Sequence, residues 1–254
     1  VNDDGIEAPG LRALYHALRK GCNMPVLAVA PHVERSGQGH AITLQKGLRI
    51  TPVWDSQDDF FGFAINGTPV DCCKLALKVI APEQPRMVIS GINDGPNVGR
   101  SLFYSGTVGA ALEAAVEGYC ALAISLDRSE HPAWQAAADL GVRLAKRCMR
   151  HASLLRGHVL NVNIPVQDPS LWGPVRVLPH GLSGFEERYA PQAEKDGSVR
   201  WILDGERIEL DHEGETDAHA LRAGHPTMSI LQPDFNSHTQ GLVETLAKLP
   251  ELSV

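Results

Sequence analysis

Met87-Val88-Ile89-Ser90, then Ser105-Gly106-Thr107-Val108, then Ala121-Leu122-Ala123-Ile124-Ser125 are the pieces of sequence that decide the fold. The first and last are short, nearly continuous apolar runs, the pattern of strands in a parallel sheet covered on both faces. Between them Val108, Ala111, Leu112, Ala115 and Val116 recur at i, i+3, i+4, i+7 and i+8, which is one apolar stripe of a helix. The same texture continues in both directions. Val26-Leu27-Ala28-Val29-Ala30 and His158-Val159-Leu160-Asn161-Val162-Asn163-Ile164 read as further strands. Leu11, Leu14, Tyr15 and Leu18 mark another helix face. Thr68 is an N-cap with Pro69 at the first helical position, and the helix they start has Val70, Cys73, Leu77 and Ile80 inward. A fourth helix, from 132 to about 151, carries Trp134, Ala137, Gly141, Leu144 and Cys148 on one side. Strands alternating with helices imply an α/β protein with a Rossmann-like, doubly wound, mostly parallel sheet.

Beyond Pro165 the texture changes. Glycines and scattered charges fill 171–215, and Ser198-Val199-Arg200-Trp201-Ile202-Leu203-Asp204-Gly205-Glu206-Arg207-Ile208-Glu209-Leu210 reads as a β-hairpin turning on Asp204-Gly205. The expected organisation is a single domain of 254 residues. Within it, 1–170 forms the α/β core with the site, 171–215 a projecting arm that serves oligomerisation, and 216–254 a C-terminal segment with a short helix over 240–252.

Composition narrows the class of function. Hydrophobic residues make up 43% and charged residues 21%, as in a globular enzyme with a substantial core. A net charge of −7 argues against a polyanion-binding surface, so no nucleic-acid polymer is expected as partner. Cys22, Cys72, Cys73, Cys120 and Cys148 show no metal-type or C-x-x-C spacing and read as small buried residues in a reducing compartment. No apolar stretch reaches the ~18 residues that a membrane span needs. The expected compartment is the cytoplasm.

In an open parallel sheet, ligands bind beyond the carboxyl ends of the strands, and the polar clusters sit there. Asp3-Asp4 precede the Leu11 helix, and Glu34-Arg35-Ser36-Gly37-Gln38-Gly39-His40 follows the strand at 26–30. Ser90-Gly91-Ile92-Asn93-Asp94-Gly95-Pro96-Asn97 follows the strand at 87–90, and Ser105-Gly106-Thr107 opens the Val108 helix. Two adjacent carboxylates repel unless something positive sits between them. A hard divalent ion with oxygen ligands relieves the repulsion. A helix N-terminus offers unpaired N–H groups to a phosphate. Metal and phosphate cradle together mean phosphoryl chemistry, most simply hydrolysis by a metal-bound water. Each loop also has a plain reading: Asn2-Asp3-Asp4-Gly5 as a solvated turn, Ser36-Gly37 as a bend, Ser105-Gly106-Thr107 as a helix cap.

The motifs Asn2-Asp3-Asp4-Gly5-Ile6-x-Ala8-Pro9-Gly10, Arg35-Ser36-Gly37, Gly67-Thr68-Pro69-Val70-Asp71-Cys72, Ser90-Gly91-Ile92-Asn93-x-Gly95-x-Asn97 and Tyr104-Ser105-Gly106-Thr107-Val108 resemble those of the survival protein SurE family, in the family's order and spacing. The resemblance is strong over about 1–165, with Leu160-Asn161-Val162-Asn163-Ile164-Pro165 and Thr216-Asp217 as later anchors. It implies a metal-dependent 5′/3′-nucleotidase that releases nucleoside and phosphate from nucleoside monophosphates. It makes Asp3, Asp4, Ser36 and Asn93 the ligands of one divalent ion, Mn²⁺ or Mg²⁺. Asp3 and Asp4 carry the catalytic weight, and Asn97, Ser105, Gly106 and Thr107 line the phosphate side. It implies a homodimer or homotetramer built through the arm and C-terminal segment. Where many members carry Asp shortly before Tyr-Ser-Gly-Thr this chain has Ser101, which receives no role. Ser229-Ile230-Leu231-Gln232-Pro233 departs from the family's late motif.

Other residues read as structural. The histidines lack H-x-x-x-H or H-E-x-x-H spacing, although His40 lies close enough in sequence to reach a phosphate. Trp134 and Trp201 read as core or interface, and Asp58-Asp59 as a solvated loop. Two other functions stand beside the nucleotidase: hydrolysis of short-chain polyphosphate, and non-catalytic nucleotide binding. A dinucleotide-binding enzyme would need G-x-G-x-x-G after the first strand, and Gly5 and Gly10 have the wrong spacing. Because only Val1 and Asn2 precede the acids, a few apolar residues ahead of Val1 are expected to complete a strand in the native protein.

Overall fold

The computed structural model describes residues 1–55, 59–208 and 215–234. From the N-terminus run α1 (Pro9–Gly21), β1 (Ala28–Pro31), β2 (Ile50–Trp54), β3 (Phe60–Ile65), α2 (Pro69–Leu75), β4 (Val88–Asp94), α3 (Gly106–Val116) and β5 (Ala121–Leu126). They are followed by α4 (Trp134–Arg150), β6 (Val159–Ile164), β7 (Arg176–Val177), β8 (Gly184–Ala193), β9 (Val199–Ile208), α5 (Asp217–Arg222) and β10 (Thr227–Leu231).

Three strands form one sheet in the order β1-β3-β2, and five form another in the order β4-β5-β6-β10-β7. Residues 1–6 lie between the two. The Val1 ammonium donates to Ile89 O at 3.0 Å, and Gly91 N–H donates to Val1 O at 2.7 Å. On the other side Ile6 N–H donates to Pro31 O at 2.8 Å, at the end of β1. The pairs β1–β3, β4–β5, β5–β6 and β10–β7 are parallel, whereas β2–β3 and β10–β6 are antiparallel.

Burial explains why the central strands are apolar throughout. Leu122 and Ile124 face α1 and α4 with Leu14, Leu18, Ala137 and Leu144. Ala121 and Ala123 face the opposite side, with Cys73 of α2 and Val108, Ala111 and Ala115 of α3. Helices thus cover both faces, as expected of a doubly wound sheet. All five cysteines are free and none but Cys22 is even partly exposed. No helix among the described residues is long and apolar enough to cross a membrane.

Three expectations change. The helix opened by Thr68 holds its regular form only to Leu75, and Ala76–Ile80 widens into a π-helical turn. The antiparallel edge β2–β3 and the reversed strand β10 were not foreseen, and β10 accommodates Ser229 and Ile230 opposite Asn161 and Leu160. The hairpin does not turn on Asp204-Gly205. Those residues lie inside β9, where Gly205 pairs with Glu187 and Asp204 with Arg188. The turn is at 195–197: Glu194 N–H donates to Ser198 O at 2.9 Å, and Gly197 N–H to Glu194 O at 3.1 Å. Gly197 has φ +86°, the left-handed residue that a three-residue hairpin loop requires. Of the acidic pair at 58 and 59, Asp59 O accepts from Asp55 N–H at 2.9 Å and Asp59 N–H donates to Asp55 Oδ1 at 3.3 Å. Asp58 and the helix expected over 240–252 lie outside the described residues.

Candidate active site

The strand-like start of the chain delivers Asp3 to the carboxyl edge between β1 and β4. Its backbone carbonyl accepts from Arg35 N–H at 2.7 Å, which draws the 34–40 loop alongside. Its side chain is 3% exposed. Gly106 N–H donates to Oδ2 at 3.1 Å and the Thr107 hydroxyl donates to Oδ1. The carboxylate therefore sits on the N-terminus of α3, where unpaired N–H groups and the helix dipole favour negative charge. Burial pushes the Asp3 carboxyl above its ordinary range, and the hydrogen bonds from Thr107 and Gly106 pull only partly against that.

Asp4 is more exposed, and its Oδ2 accepts from Asp94 N–H at 3.1 Å, so the two polar clusters meet. Burial first, then the like charge of Asp3, push its carboxyl up to about 7; the hydrogen bond from Asp94 N–H pulls against this, and the charges of Asp94 and Glu34 add smaller rises. Among the described residues no Lys, Arg or His forms an ion pair with either acid. Asn93 follows a register shift in β4 against β5. Its amide nitrogen donates to Gly95 O at 2.6 Å, which leaves the amide oxygen as the atom that could face a cation. Ser36 is exposed and donates to Glu34 Oε1 at 2.8 Å, keeping its oxygen lone pairs. No group of three or more His, Cys, Asp or Glu side chains among the described residues could hold an ion. The donor set here is of another kind: two carboxylates, a hydroxyl and an amide oxygen. All are hard oxygen donors, and the uncompensated pair of acids fits a hard divalent cation.

The residues expected on the phosphate side divide. Gly106 N–H and the Thr107 hydroxyl are taken by Asp3, and Gly106 can be nothing larger. A Cβ there would lie 2.9 Å from both Asp3 Cβ and Pro69 Cγ. Ser105 is the N-cap of α3, its oxygen accepting from Val108 N–H at 3.1 Å, while its own hydroxyl hydrogen stays available. Asn97 is buried and its amide nitrogen donates one hydrogen to Ser125 Oγ at 2.8 Å, keeping a second.

Sequence reading named Asn161 and Asn163 only as anchors of the resemblance and did not see that they hold these residues in place. Asn161 and Asn163, on one face of β6, donate to Asn97 O at 2.9 and 3.0 Å, and Asn163 Oδ1 accepts from Asn97 N–H at 2.7 Å. Their i, i+2 spacing in an otherwise apolar strand was the available signal. His40 is turned to Glu113, with Nε2 2.9 Å from Oε2, and Lys74 Nζ donates to Oε1 at 2.5 Å. Burial alone would push Glu113 up. The bonds from Lys74 and His40 outweigh it and hold the carboxyl below its ordinary value. This cluster pins the 36–40 loop to α3, and Gly39 N–H donates to Tyr104 O at 3.0 Å beside it.

The sequence profile of the family described as "Survival protein SurE" matches residues 1–185. The chain belongs to the SurE family. It is 39% identical over 246 residues to the protein of Desulfovibrio desulfuricans named 5′-nucleotidase SurE, covering 94% of this chain and 93% of that one. A protein of the same name from Symbiobacterium thermophilum is 37% identical over 245 residues, covering 94% and 93%. The crystal structure of the SurE protein from Aquifex aeolicus superposes with a TM-score of 0.81 at 29% identity, covering 97% of each chain.

Proposed function

We propose that this chain is a phosphomonoester hydrolase acting on nucleoside 5′- and 3′-monophosphates, with one Mn²⁺ or Mg²⁺ held by Asp3, Asp4, Ser36 and Asn93. The observation that carries this is the pair of adjacent carboxylates, one seated on the N-terminus of α3 and the other pushed up to about 7 with no basic partner among the described residues. The relatives' name, 5′-nucleotidase SurE, supports the substrate class. A divalent ion there supplies Lewis-acid polarisation of the phosphate and a water acidic enough to act as nucleophile near neutral pH. Asp3 and Asp4 fix the position of the ion, Asp3 rigidly through α3 and Asp4 from the more open side. The Ser105 hydroxyl and the remaining Asn97 amide hydrogen are the donors for the phosphate oxygens. Gly106 and Thr107 act one step back, by orienting Asp3.

The apolar face of the β8–β9 arm supports the proposal of a homodimer or homotetramer. The cytoplasm is the proposed compartment, on the free cysteines. Nothing in the site favours polyphosphate hydrolysis or binding without catalysis.

A phosphate-release screen over nucleoside 5′- and 3′-monophosphates and short polyphosphate at fixed Mn²⁺, with and without EDTA, tests the reading. Release from nucleotides that EDTA abolishes and Mn²⁺ or Mg²⁺ restores is expected. Full activity in chelator would overturn the metal assignment, and activity on polyphosphate alone would overturn the substrate.

A further inference from the structure

One stripe of α3 carries more than the support of Asp3. Gly106, Gly109 and Glu113 stand at i, i+3 and i+7, on one face of the helix. Gly106 meets Asp3, whereas Gly109 and Glu113 meet the 36–40 loop, the segment that brings Ser36 to the site. We propose that Gly109 and Glu113 are positioning residues of the metal site. They hold the loop so that the Ser36 oxygen stands at a fixed place beside Asp3, and they set the affinity for the ion through Ser36. This rests on the metal reading of the site and deepens it.

Three observations carry the inference. The first is how little fixes Ser36 locally. It is exposed, and among the described residues its side-chain bond goes back two positions to Glu34. Gly37 and Gly39, which follow, have φ +76° and +55°, and a Cβ on Gly37 would meet nothing within 4 Å. The position of Ser36 therefore comes from the two ends of the loop. Upstream, Arg35 N–H donates to Asp3 O at 2.7 Å. Downstream, the anchors are on α3.

The second is how closely the loop lies on the helix. A Cβ on Gly109 would lie 2.6 Å from Gly39 O and 3.3 Å from His40 Cα, so helix and loop are in direct backbone contact. A helix interior ordinarily favours Ala over Gly by about 1 kcal/mol. Here Ala would have to displace the loop. Gly39 N–H donates to Tyr104 O at 3.0 Å, which ties the same residue to the segment that leads into α3.

The third is a buried carboxylate shared by two donors. Glu113 Oε2 lies 2.9 Å from His40 Nε2, and Lys74 Nζ of α2 donates to Oε1 at 2.5 Å. With its carboxyl held below the ordinary value, Glu113 only accepts, so His40 Nε2 carries the hydrogen of that contact. Lys74 thus orients Glu113, and Glu113 orients His40. The next residue is tied as well: the Thr68 hydroxyl donates to Ala41 O at 2.7 Å, at the start of α2. The helix whose N-terminus seats Asp3 therefore also sets where the Ser36 loop runs.

The test is a double-mutant cycle on the full chain, read by calorimetric titration with Mn²⁺. Glu113→Gln and Gly109→Ala should each weaken Mn²⁺ binding about three- to tenfold, less than groups that touch a ligand directly. In a Ser36→Ala background the same changes should weaken it by less than about twofold, because the loop then has no donor to misplace. A charge lost at Glu113 would act on the ion with or without Ser36, and Gly109→Ala changes no charge, so the cycle separates position from electrostatics. No loss of affinity, or an equal loss in the Ser36→Ala background, would overturn the proposal. So would a fall in Tm with affinity unchanged, or an affinity that Ser36→Ala itself leaves unaltered. His40 is 36% exposed, so His40→Ala runs through the same cycle with the same expected outcome, and it decides the matter where a buried change prevents folding. A wild type that binds no Mn²⁺ would instead overturn the metal reading.

Discussion

Thr107 donates its hydroxyl to the Asp3 carboxylate across a sequence separation of 104 residues. The bond joins the start of the chain to the N-terminus of α3, and it makes the helix a support for the aspartate. Gly106 N–H and the Thr107 hydroxyl, expected from sequence on the phosphate side, are given to this internal carboxylate, and Ser105 is left at the same helix end. The helix cap and the proposed metal ligand are thus one construction.

Removing that hydroxyl should weaken the ion without touching it. Thr107→Val keeps the shape and leaves a buried carboxylate short of a donor, a cost of about 1.5–3 kcal/mol in stability. Mn²⁺ affinity should fall roughly 10- to 100-fold, the usual range for groups that orient ligands. Thr107→Ser should restore most of it. Calorimetric titration with Mn²⁺ checks both, and an unchanged affinity in Thr107→Val would show that Asp3 needs no such support.

Asp3→Asn and Asp4→Asn should be the strongest lesions, lowering kcat/KM by at least ~100-fold, because each removes a ligand charge from the ion. Asn93→Ala should resemble them. His40→Ala should cost less than ~10-fold, since its ring is held by Glu113 and acts only on loop position. Near-normal rates in both aspartate variants, with the fold intact by circular dichroism, would contradict the ligand assignment. A His40 lesion as deep as Asp3→Asn would put His40 in the site.

The pH dependence follows from Asp4, whose carboxyl is raised to about 7 chiefly by burial and then by Asp3. A raised folded pKa means a contribution to stability that is full below the unfolded value of about 3.9 and is lost as pH rises through about 7. Metal-free protein should therefore melt lower at pH 8 than at pH 5.5 so far as Asp4 decides it. The ion removes that loss, so the rise in Tm on adding Mn²⁺ should be larger at pH 8. Below about 7 a proton competes for the ligand, and apparent Mn²⁺ affinity should drop by up to about tenfold per pH unit. A Tm increment independent of pH, read by scanning calorimetry, would contradict the electrostatic account.

What the sequence disclosed followed the reach of its signals. The apolar runs at 121–125 and 158–164 and the stripe from Val108 to Val116 are local, and the strands and helix appear where those patterns lie. Asn93 stood out because a polar cluster follows an apolar run, and Asp3 and Asp4 because they are adjacent acids ahead of a helix, all three within motifs of the family. The edge strands were less so: Pro52 interrupts β2, and most of β2 is exposed, which blurs its period. Asp204-Gly205 looked like a turn but fits within β9, whereas Asp196-Gly197 supplied the closing glycine. The supporting groups were hidden for another reason. Asp217 reaches Gly99 across 118 residues and Asn163 reaches Asn97 across 66, and no local pattern records such a pairing.

The arm yields the last prediction. Because β8 and β9 pair Tyr189 with Leu203, Pro191 with Trp201 and Ala193 with Val199, one face of the ribbon is apolar over its outer half, with Glu187 following on that face towards the base. Tyr189, Val199, Trp201 and Leu203 are each more than half exposed, at 58%, 53%, 61% and 56%. The opposite face carries Arg188 with Asp204 and Gln192 with Arg200 on either side of the pair Ala190–Ile202, and is the more polar of the two. A two-stranded ribbon is marginal on its own, and a contiguous exposed apolar face of this kind marks an association surface. Trp201→Glu should therefore lower the mass in light scattering to that of a smaller assembly, and Tyr189→Glu should do the same. Arg200→Glu, on the polar face, should leave the mass unchanged. Equal masses for wild type and both apolar-face variants would remove the arm from the assembly. Loss of mass with the Arg200 variant as well would show that ribbon stability, and not the apolar face, holds the copies together.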